Sequence, residues 1–263
     1  MDVSLAQESS SYTLYSGSIA MKEGSPFRNK KDPKLLSAYS IAEGCRYLQI
    51  PQATLKSWVV GRHYPTSKGS RFFKPLILPA SQDRQVGLSF LNLIEAHVLD
   101  AIRRTHGVAL PKVRRAMDYI SRELRSQHPL AEKDFETDGV DLFIRLYGRL
   151  INASRDGQMA IKEILEAYLA RIERDASGVA ARLYPFTRNR AASPAVGAEP
   201  RTVLIDPQIS YGRPVLAGTG IPTAALAERY KAGDSIKILA EDYSLSTDAI
   251  EEAIRCELWT EAA

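Results

Sequence analysis

The segment 39–58 constrains the fold most, because it encodes two short helices joined by a tight turn. Ser40 and Glu43 have the spacing of a capping box, which predicts that a helix begins at this point. Pro51 interrupts that helix and is well placed to start the next one. Apolar residues then recur at helical spacing up to Trp58. The segment therefore predicts a helix-turn-helix.

The residues that follow have the pattern of a β-hairpin. Strand-forming residues in 59–64 and 71–73 flank the turn sequence Pro-Thr-Ser-Lys-Gly-Ser. A hairpin directly after a helix-turn-helix is a wing. Arg62, Lys68 and Arg71 are predicted to lie near its tip.

Two longer amphipathic helices are predicted next. Ser89 caps the first, which continues through Arg104. Pro111 starts the second, which continues to about residue 126. We expect these helices to form the surface on which two copies of the chain dimerise. His97 lies on the apolar face of the first helix and is expected in the core.

The middle of the chain is mixed in character. Residues 140–145 and 149–152 are predicted as short strands, and residues 159–170 as a helix. Two further strands, 171–174 and 179–184, flank the turn sequence Asp-Ala-Ser-Gly. This region predicts a small α+β element.

The last part of the chain opens with a strand and a turn-rich stretch, and three short helices follow. Pro222 starts the first helix, Ser235 caps the second, and Ser246 or Thr247 caps the third. The second and third helices again have helix-turn-helix spacing.

The predicted fold class is mainly α with small β elements, an α+β chain. Five parts are expected: a loose arm at 1–37, a winged helix-turn-helix with a helical dimerisation region at 38–130, a small α+β element at 131–186, a linker at 187–200, and a tri-helical C-terminal domain at 201–263.

Charge is unevenly distributed along the chain, although the net charge is only +4. Residues 22–74 contain eleven Lys or Arg against three acids, a local net of +8. Residues 199–263 contain eleven acids against six bases, a local net of −5. Basic segments gain affinity for phosphate backbones by releasing counterions. The two ends therefore suggest different partners, and uneven scatter of surface charge is the alternative interpretation.

The stretches 39–43, 48–51 and 54–58, together with the wing, resemble the DNA-binding headpiece of MerR-like winged helix-turn-helix regulators. A recognition helix places short polar residues at base edges while apolar residues anchor it. A helical hairpin without nucleic acid is the alternative. The predicted DNA-binding residues are Gln52, Thr54 and Ser57 near bases or sugars, Lys56 and Arg62 at phosphates, and Lys68 and Arg71 in the wing.

The stretch 206–222 resembles the GxPxxxGTxI tri-helical domain of VapB-type antitoxins, which are usually encoded beside PIN or PIN-like toxins. Its glycines Gly212, Gly218 and Gly220 are expected to permit tight turns. The third helix of this part begins with acids that DNA phosphates would repel. A protein surface is therefore the expected partner of this domain.

PIN nucleases hold Mg²⁺ or Mn²⁺ with clustered carboxylates, so the resemblance implies that an inhibitor offers a cation or occludes the groove. The alternatives are ordinary solvated arginines and a tryptophan that closes the core of its own domain. The candidate toxin-binding residues are Arg213, Arg229, Arg255 and Trp259.

Other chemistry has little support in the sequence. We find no glycine-rich phosphate loop, no zinc-spaced Cys or His pair and no nucleophile elbow. No cofactor and no metal are expected. The two cysteines indicate no disulfide framework, and no apolar run approaches the ~20 residues that cross a bilayer. A cytoplasmic chain is expected.

The two resemblances therefore imply an antitoxin that binds double-stranded operator DNA as a homodimer, represses its own operon and neutralises a PIN or PIN-like toxin. A MerR-like, ligand-responsive regulator without a toxin partner is the first alternative. An enzyme is the second.

Overall fold

The structure is a computed structural model. It describes residues 32–67, 69–81, 86–104, 110–151, 153–188 and 199–259. These residues are mainly helical, and their strands form small antiparallel pairs. The predicted α+β class is confirmed.

The first elements form the predicted helix-turn-helix and hairpin. Glu43 N donates to the Ser40 hydroxyl over 3.2 Å and Ser40 N donates to the Glu43 carboxylate over 2.8 Å, so the capping box is present. We call α1, α2, β2 and β3 the headpiece. The elements are β1 (Tyr39–Ser40), α1 (Ile41–Leu48), α2 (Gln52–Val59), β2 (Arg62–Thr66), β3 (Gly69–Phe73) and β4 (Gly87–Leu88), with β1 paired to β4 and β2 to β3.

The helix that follows β4, α3 (Phe90–Arg104), lies inside the protein. It carries buried residues on every side and packs against other helices of the same chain, so it offers no surface to a second copy. The prediction that this helix forms a dimer surface is wrong. His97 is 1% exposed, as expected of a core residue. The elements are α3 (Phe90–Arg104), α4 (Leu110–Glu123), α5 (Val140–Ile151), α6 (Arg155–Leu169), β5 (Ile172–Arg174) and β6 (Ala180–Leu183).

The two short strands predicted in 140–152 are wrong, because this segment is the helix α5. Val140, Phe143, Ile144 and Tyr147 are buried, and their spacing is the helical one. The helix packs with α4 and α6. The predicted hairpin around the Asp-Ala-Ser-Gly turn is present as β5 and β6.

The C-terminal part contains the three predicted helices. Ser235 and Ser246 cap the second and third, since each hydroxyl accepts a hydrogen bond from a backbone N–H of the first turn. Gly212, Gly218 and Gly220 all have φ between 71° and 78°, as expected for tight turns. The elements are β7 (Val203–Leu204), β8 (Val215–Leu216), α7 (Thr223–Lys231), α8 (Ile236–Tyr243) and α9 (Thr247–Leu258).

A single buried arginine joins the two sides of the predicted linker, most of which lies outside the described residues. The Arg171 guanidinium donates to the carbonyls of Tyr184 and Pro185 before the linker, and to those of Glu199 and Pro200 at its end, over 2.7–3.2 Å. A planar guanidinium with several fixed donors suits such a cluster of carbonyls. The end of β6 and the start of the C-terminal part are thereby held together.

The C-terminal part also packs directly on the headpiece, with α9 against α1. The buried Tyr39 phenol donates to the Gly212 carbonyl over 2.9 Å, and Arg46 lies 3.3 Å from the Glu257 carboxylate. An ion pair joins Arg213 to Glu43. We call this contact the seam; it consists of Tyr39, Glu43 and Arg46 on one side and Gly212, Arg213 and Glu257 on the other.

Substitution of Gly212 tests the seam. Gly212 and Gly218 both have φ +78, so alanine is strained equally at each, by about 1–2 kcal/mol. A Cβ at Gly212 would also lie 2.3 Å from the Tyr39 hydroxyl, whereas a Cβ at Gly218 would meet nothing within 4 Å. We expect Gly212→Ala to lower the free energy of unfolding by about 1–3 kcal/mol more than Gly218→Ala.

Urea unfolding of both variants measures this difference. Equal losses of stability would show that Tyr39 moves aside without cost and that its hydrogen bond to Gly212 contributes nothing.

Candidate nucleic-acid and partner interfaces

The outer surface of α2 carries most of the predicted base-reading residues. Gln52 and Lys56 are exposed and Thr54 is half-buried. Ser57 is 6% exposed, and its hydroxyl donates to the Thr54 carbonyl over 2.7 Å. Ser57 therefore faces inward and does not belong to the surface that α2 offers, because it occupies the same buried side as Trp58.

The basic residues of the wing lie at different distances from its turn. Arg62 pairs with Phe73 at the base of the hairpin, so the prediction that it lies near the tip is wrong. Arg71 pairs with Tyr64, nearer the turn, and both arginines are exposed. Lys68 lies outside the described residues.

The surface formed by α2 and the wing is positively charged because acids are absent from this stretch of sequence. Residues 44–82 contain six Lys or Arg and no Asp or Glu. In the part of the chain that the structure describes, Lys56, Arg62 and Arg71 make no ion pair within 4.0 Å. Their charges are therefore offered to solvent, as a phosphate-binding surface requires.

An arginine of α4 fixes the base of the wing, and no sequence pattern singles it out. The Arg114 guanidinium donates to the carbonyls of Lys74 and Pro75, the latter over 2.7 Å, and lies 4.8 Å from the centre of the Phe73 ring. Burial lowers the pKa of this guanidinium below its ordinary value. The signal that identifies Arg114 is spatial: residues some forty positions apart meet only after folding.

The three arginines predicted to meet the toxin are occupied within the chain. Arg229 lies 2.6 Å from the carboxylates of both Asp234 and Asp242. Arg255 lies 2.6 Å from Glu251 and 2.7 Å from Glu252. Arg213, the third of these arginines, lies in the seam and pairs with Glu43 of α1. Trp259 is half-buried at the end of α9.

The acids of α9 do not all face solvent. Asp248 is exposed, whereas Glu252 is 1% exposed and accepts hydrogen bonds from Thr187, Arg188 and Arg255. A buried carboxylate needs such partners, because burial without them is costly. Part of the acidic charge predicted for the surface is therefore internal.

The surroundings of Glu43 in the seam favour the charged form of its carboxyl group. Partial burial of Glu43 opposes ionisation, but hydrogen bonds from Ser40 and the charge of Arg213 lower the pKa of its carboxyl below the usual value. Burial raises the pKa of the Tyr39 phenol, so this group keeps its proton and remains a hydrogen-bond donor to Gly212. The seam is thus formed by a neutral hydrogen bond beside ion pairs.

Within the described residues, no group of three or more His, Cys, Asp or Glu side chains is arranged to hold a metal ion. The buried carboxylate of Asp100 accepts hydrogen bonds from Arg103 and from the Tyr168 phenol, so both of its oxygens are used within the chain. Among the helices that the structure describes, none combines the length and the apolar character of a membrane span. Cys45 and Cys256 are buried, and they do not form a disulfide with each other.

Comparison with known proteins matches both ends of the chain. A sequence profile described as "Putative DNA-binding HTH domain" matches residues 37–117, and one described as "Protein of unknown function (DUF433)" matches residues 203–255. The Mycobacterium tuberculosis protein named "Putative antitoxin VapB45" is 31% identical over 235 residues, which cover 82% of this chain and 92% of that protein.

A solved structure is similar over nearly its whole length. The crystal structure of Rv2018 from Mycobacterium tuberculosis superimposes with a TM-score of 0.59 at 27% identity, covering 84% of this chain and 98% of that one. The winged helix-turn-helix and its basic surface place the chain among proteins with a DNA-binding helix-turn-helix domain. The sequence match to the protein named as an antitoxin covers most of both chains and identifies the family more narrowly. The chain belongs to the VapB-type antitoxins.

Arg114 gives a test of how the wing is positioned. We expect Arg114→Ala to loosen the wing, because the carbonyls of Lys74 and Pro75 lose a charged donor whose hydrogen bonds contribute about 1.5–3 kcal/mol. Hydrogen exchange of the β3 amides, Gly69–Phe73, should become roughly tenfold faster. The control is Arg115→Ala, since Arg115 is the exposed neighbour on α4. Equal exchange in both variants would contradict this role for Arg114.

Proposed function

We propose that this antitoxin binds operator DNA through α2 and the wing, represses its own operon, and neutralises a PIN-type ribonuclease through its C-terminal domain. One observation carries the DNA-binding half: cations on α2 and the wing are exposed along a stretch that contains no acid. The antitoxin half is supported by the similarity to a protein named as an antitoxin over most of both chains.

In this proposal α2 enters the major groove and the wing contacts the backbone. Gln52 and Thr54 read base edges, and Lys56, Arg62, Lys68 and Arg71 contact phosphates. Ser57 is left out of this set because its hydroxyl is used within α2. Headpieces of this kind gain affinity by binding paired half-sites about one helical turn apart, so we propose that the chain acts as a homodimer. A surface other than α3 must form the dimer.

Neutralisation of the toxin is proposed to proceed by occlusion of its groove. The alternative, an arginine that reaches the metal-binding carboxylates of a PIN nuclease, is less favourable here. Arg213, Arg229 and Arg255 each have acidic partners in the chain, and an arginine that moved to the toxin would give up these partly exposed ion pairs, at a small cost for each. A contact made through shape avoids that cost.

Removal of phosphate-binding charge tests the operator interface. We expect the double variant Lys56→Ala with Arg62→Ala to bind the operator roughly tenfold or more weakly at moderate salt. The slope of log affinity against log salt concentration should fall in magnitude by about 2, since each lost phosphate contact removes about 0.9. Fluorescence anisotropy with the promoter duplex measures both quantities.

The matched control removes the same charge elsewhere. Lys231 and Lys237 are exposed on α7 and α8, and their double alanine variant should retain the slope of the unmodified protein. A slope that falls equally in both double variants would mean that net charge, rather than the headpiece, determines affinity.

Capture of the toxin is tested with the full chain. When it is co-expressed with the protein encoded beside it, we expect the two proteins to co-purify and the ribonuclease activity of the partner to be suppressed. Arg229→Ala and Arg255→Ala should each change the inhibition constant less than about threefold, because the contact is made through shape. A loss of inhibition in either variant would contradict the occlusion proposal and support delivery of a cation.

A ligand-responsive regulator is the second candidate function, and one observation favours it. A cleft of about 300 Å³ lies beside the β5–β6 hairpin and is lined by charged side chains, among them Lys34, Glu173 and Arg182. These charges pair within the chain: Lys34 with Asp175, and Arg182 with Glu173 and Asp206. A small molecule that alters operator affinity of the purified protein would support this candidate; the antitoxin function needs none.

A further inference from the structure

The turn 210–212 holds an aromatic side chain in an unusual position. Ser210, Tyr211 and Gly212 have φ of 48°, 55° and 78°, three consecutive residues in the left-handed region. Side chains with a Cβ rarely adopt this conformation, because the Cβ approaches the following carbonyl. The chain accepts this strain at two residues that are not glycine.

Contacts with the rest of the protein maintain the strained turn. Gly212 N donates to the Ile209 carbonyl over 2.9 Å, and Arg213 N donates to the Ser210 carbonyl over 3.0 Å. The carbonyl of Gly212 accepts the buried Tyr39 phenol, and the Arg213 guanidinium pairs with an acid of α1. The turn is therefore fixed on the headpiece and does not depend on Tyr211 itself.

The Tyr211 side chain is 94% exposed, so the strained turn gains no burial from it. Among the large apolar residues in the described part of the chain, the next most exposed is Leu78, at 63%. The strained turn serves the seam, but the Tyr211 ring takes no part in those contacts, so its exposed position points to a use outside the free molecule. Tyrosine is frequent among the few residues that dominate the energy of protein interfaces. Because the backbone of this turn is already held in place, binding a partner costs less entropy of ordering.

The surroundings of the ring favour a protein partner over a nucleic acid. Arg213, the cation next to Tyr211, is neutralised by Glu43. The segment 199–263 carries a net charge of −5, which disfavours approach of a phosphate backbone. A phenol ring without local positive charge fits a polypeptide pocket that has apolar walls and a polar group for the hydroxyl.

We propose that Tyr211 is the anchor with which the chain holds its toxin, the ring entering an apolar pocket on the toxin surface. This inference rests on the proposed function, because it names a contact of the same partner. It replaces the predicted cationic contacts with an aromatic one that the sequence did not identify.

The experiment compares two substitutions at this position. Tyr211→Ala removes the ring and keeps the strain, whereas Tyr211→Gly removes the ring and relieves the strain. We expect both variants to bind the toxin encoded beside this chain about 30-fold or more weakly, as measured by calorimetry with the full-length proteins. The glycine variant should unfold at least at the temperature of the unmodified protein, and about 2–4 °C above the alanine variant.

A matched tyrosine provides the control. Tyr230 on α7 is 40% exposed, and Tyr230→Ala should change toxin affinity less than about threefold. Operator affinity should be unchanged in every variant. Toxin binding by Tyr211→Gly within threefold of the unmodified protein would overturn the inference, and so would a loss of operator binding, which would assign the ring to DNA.

Failure of the proposed function has a different signature. If the unmodified chain fails to bind the neighbouring protein, the proposed toxin capture is wrong, and the anchor is rejected with it. If the unmodified chain binds and both Tyr211 variants bind equally well, only the anchor is wrong.

Discussion

The hydrogen bond from the Tyr39 phenol to the Gly212 carbonyl is the contact on which the arrangement of this molecule depends. It is buried, it joins the entrance of the first helix to the C-terminal part, and it requires a residue without a Cβ at position 212. The ion pairs of the seam lie around it. Because the phenol keeps its proton, the contact does not depend on charge at neutral pH. The headpiece and the antitoxin domain are thus packed together through a defined surface.

Local signals in the sequence were sufficient for much of this architecture. The capping box at Ser40, the break at Pro51 and the turn residues of the hairpin each act over a few positions, and each appears where it was predicted. The glycines of the C-terminal turn also have the positive φ expected of them. The helix α5 was missed because the four apolar residues at helical spacing are themselves β-branched or aromatic, which raised the strand propensity of short windows.

The candidate sites could be predicted only in part, because exposure and pairing are set by distant residues. The surface of α2 followed from its sequence, yet burial of Ser57 depends on which side of the helix packs. Glu252 resembles a surface acid until Arg188, 64 positions earlier, is brought beside it. The arginines of the C-terminal domain similarly acquire acidic partners only in the folded chain. Net charge of a segment therefore indicated its polarity but not which charges a partner meets.

These pairings explain how one molecule separates two kinds of recognition. On α2 and the wing the cations have no acid nearby in sequence, and their field extends to solvent, where it attracts phosphates over about a Debye length, roughly 10 Å. In the C-terminal domain each candidate arginine is already balanced, so its field is short-ranged and gives DNA little reason to approach. The toxin contact proposed for this domain accordingly uses shape and apolar contact, which act only at direct approach. The same chain can therefore bind DNA at one end without the other end competing for it.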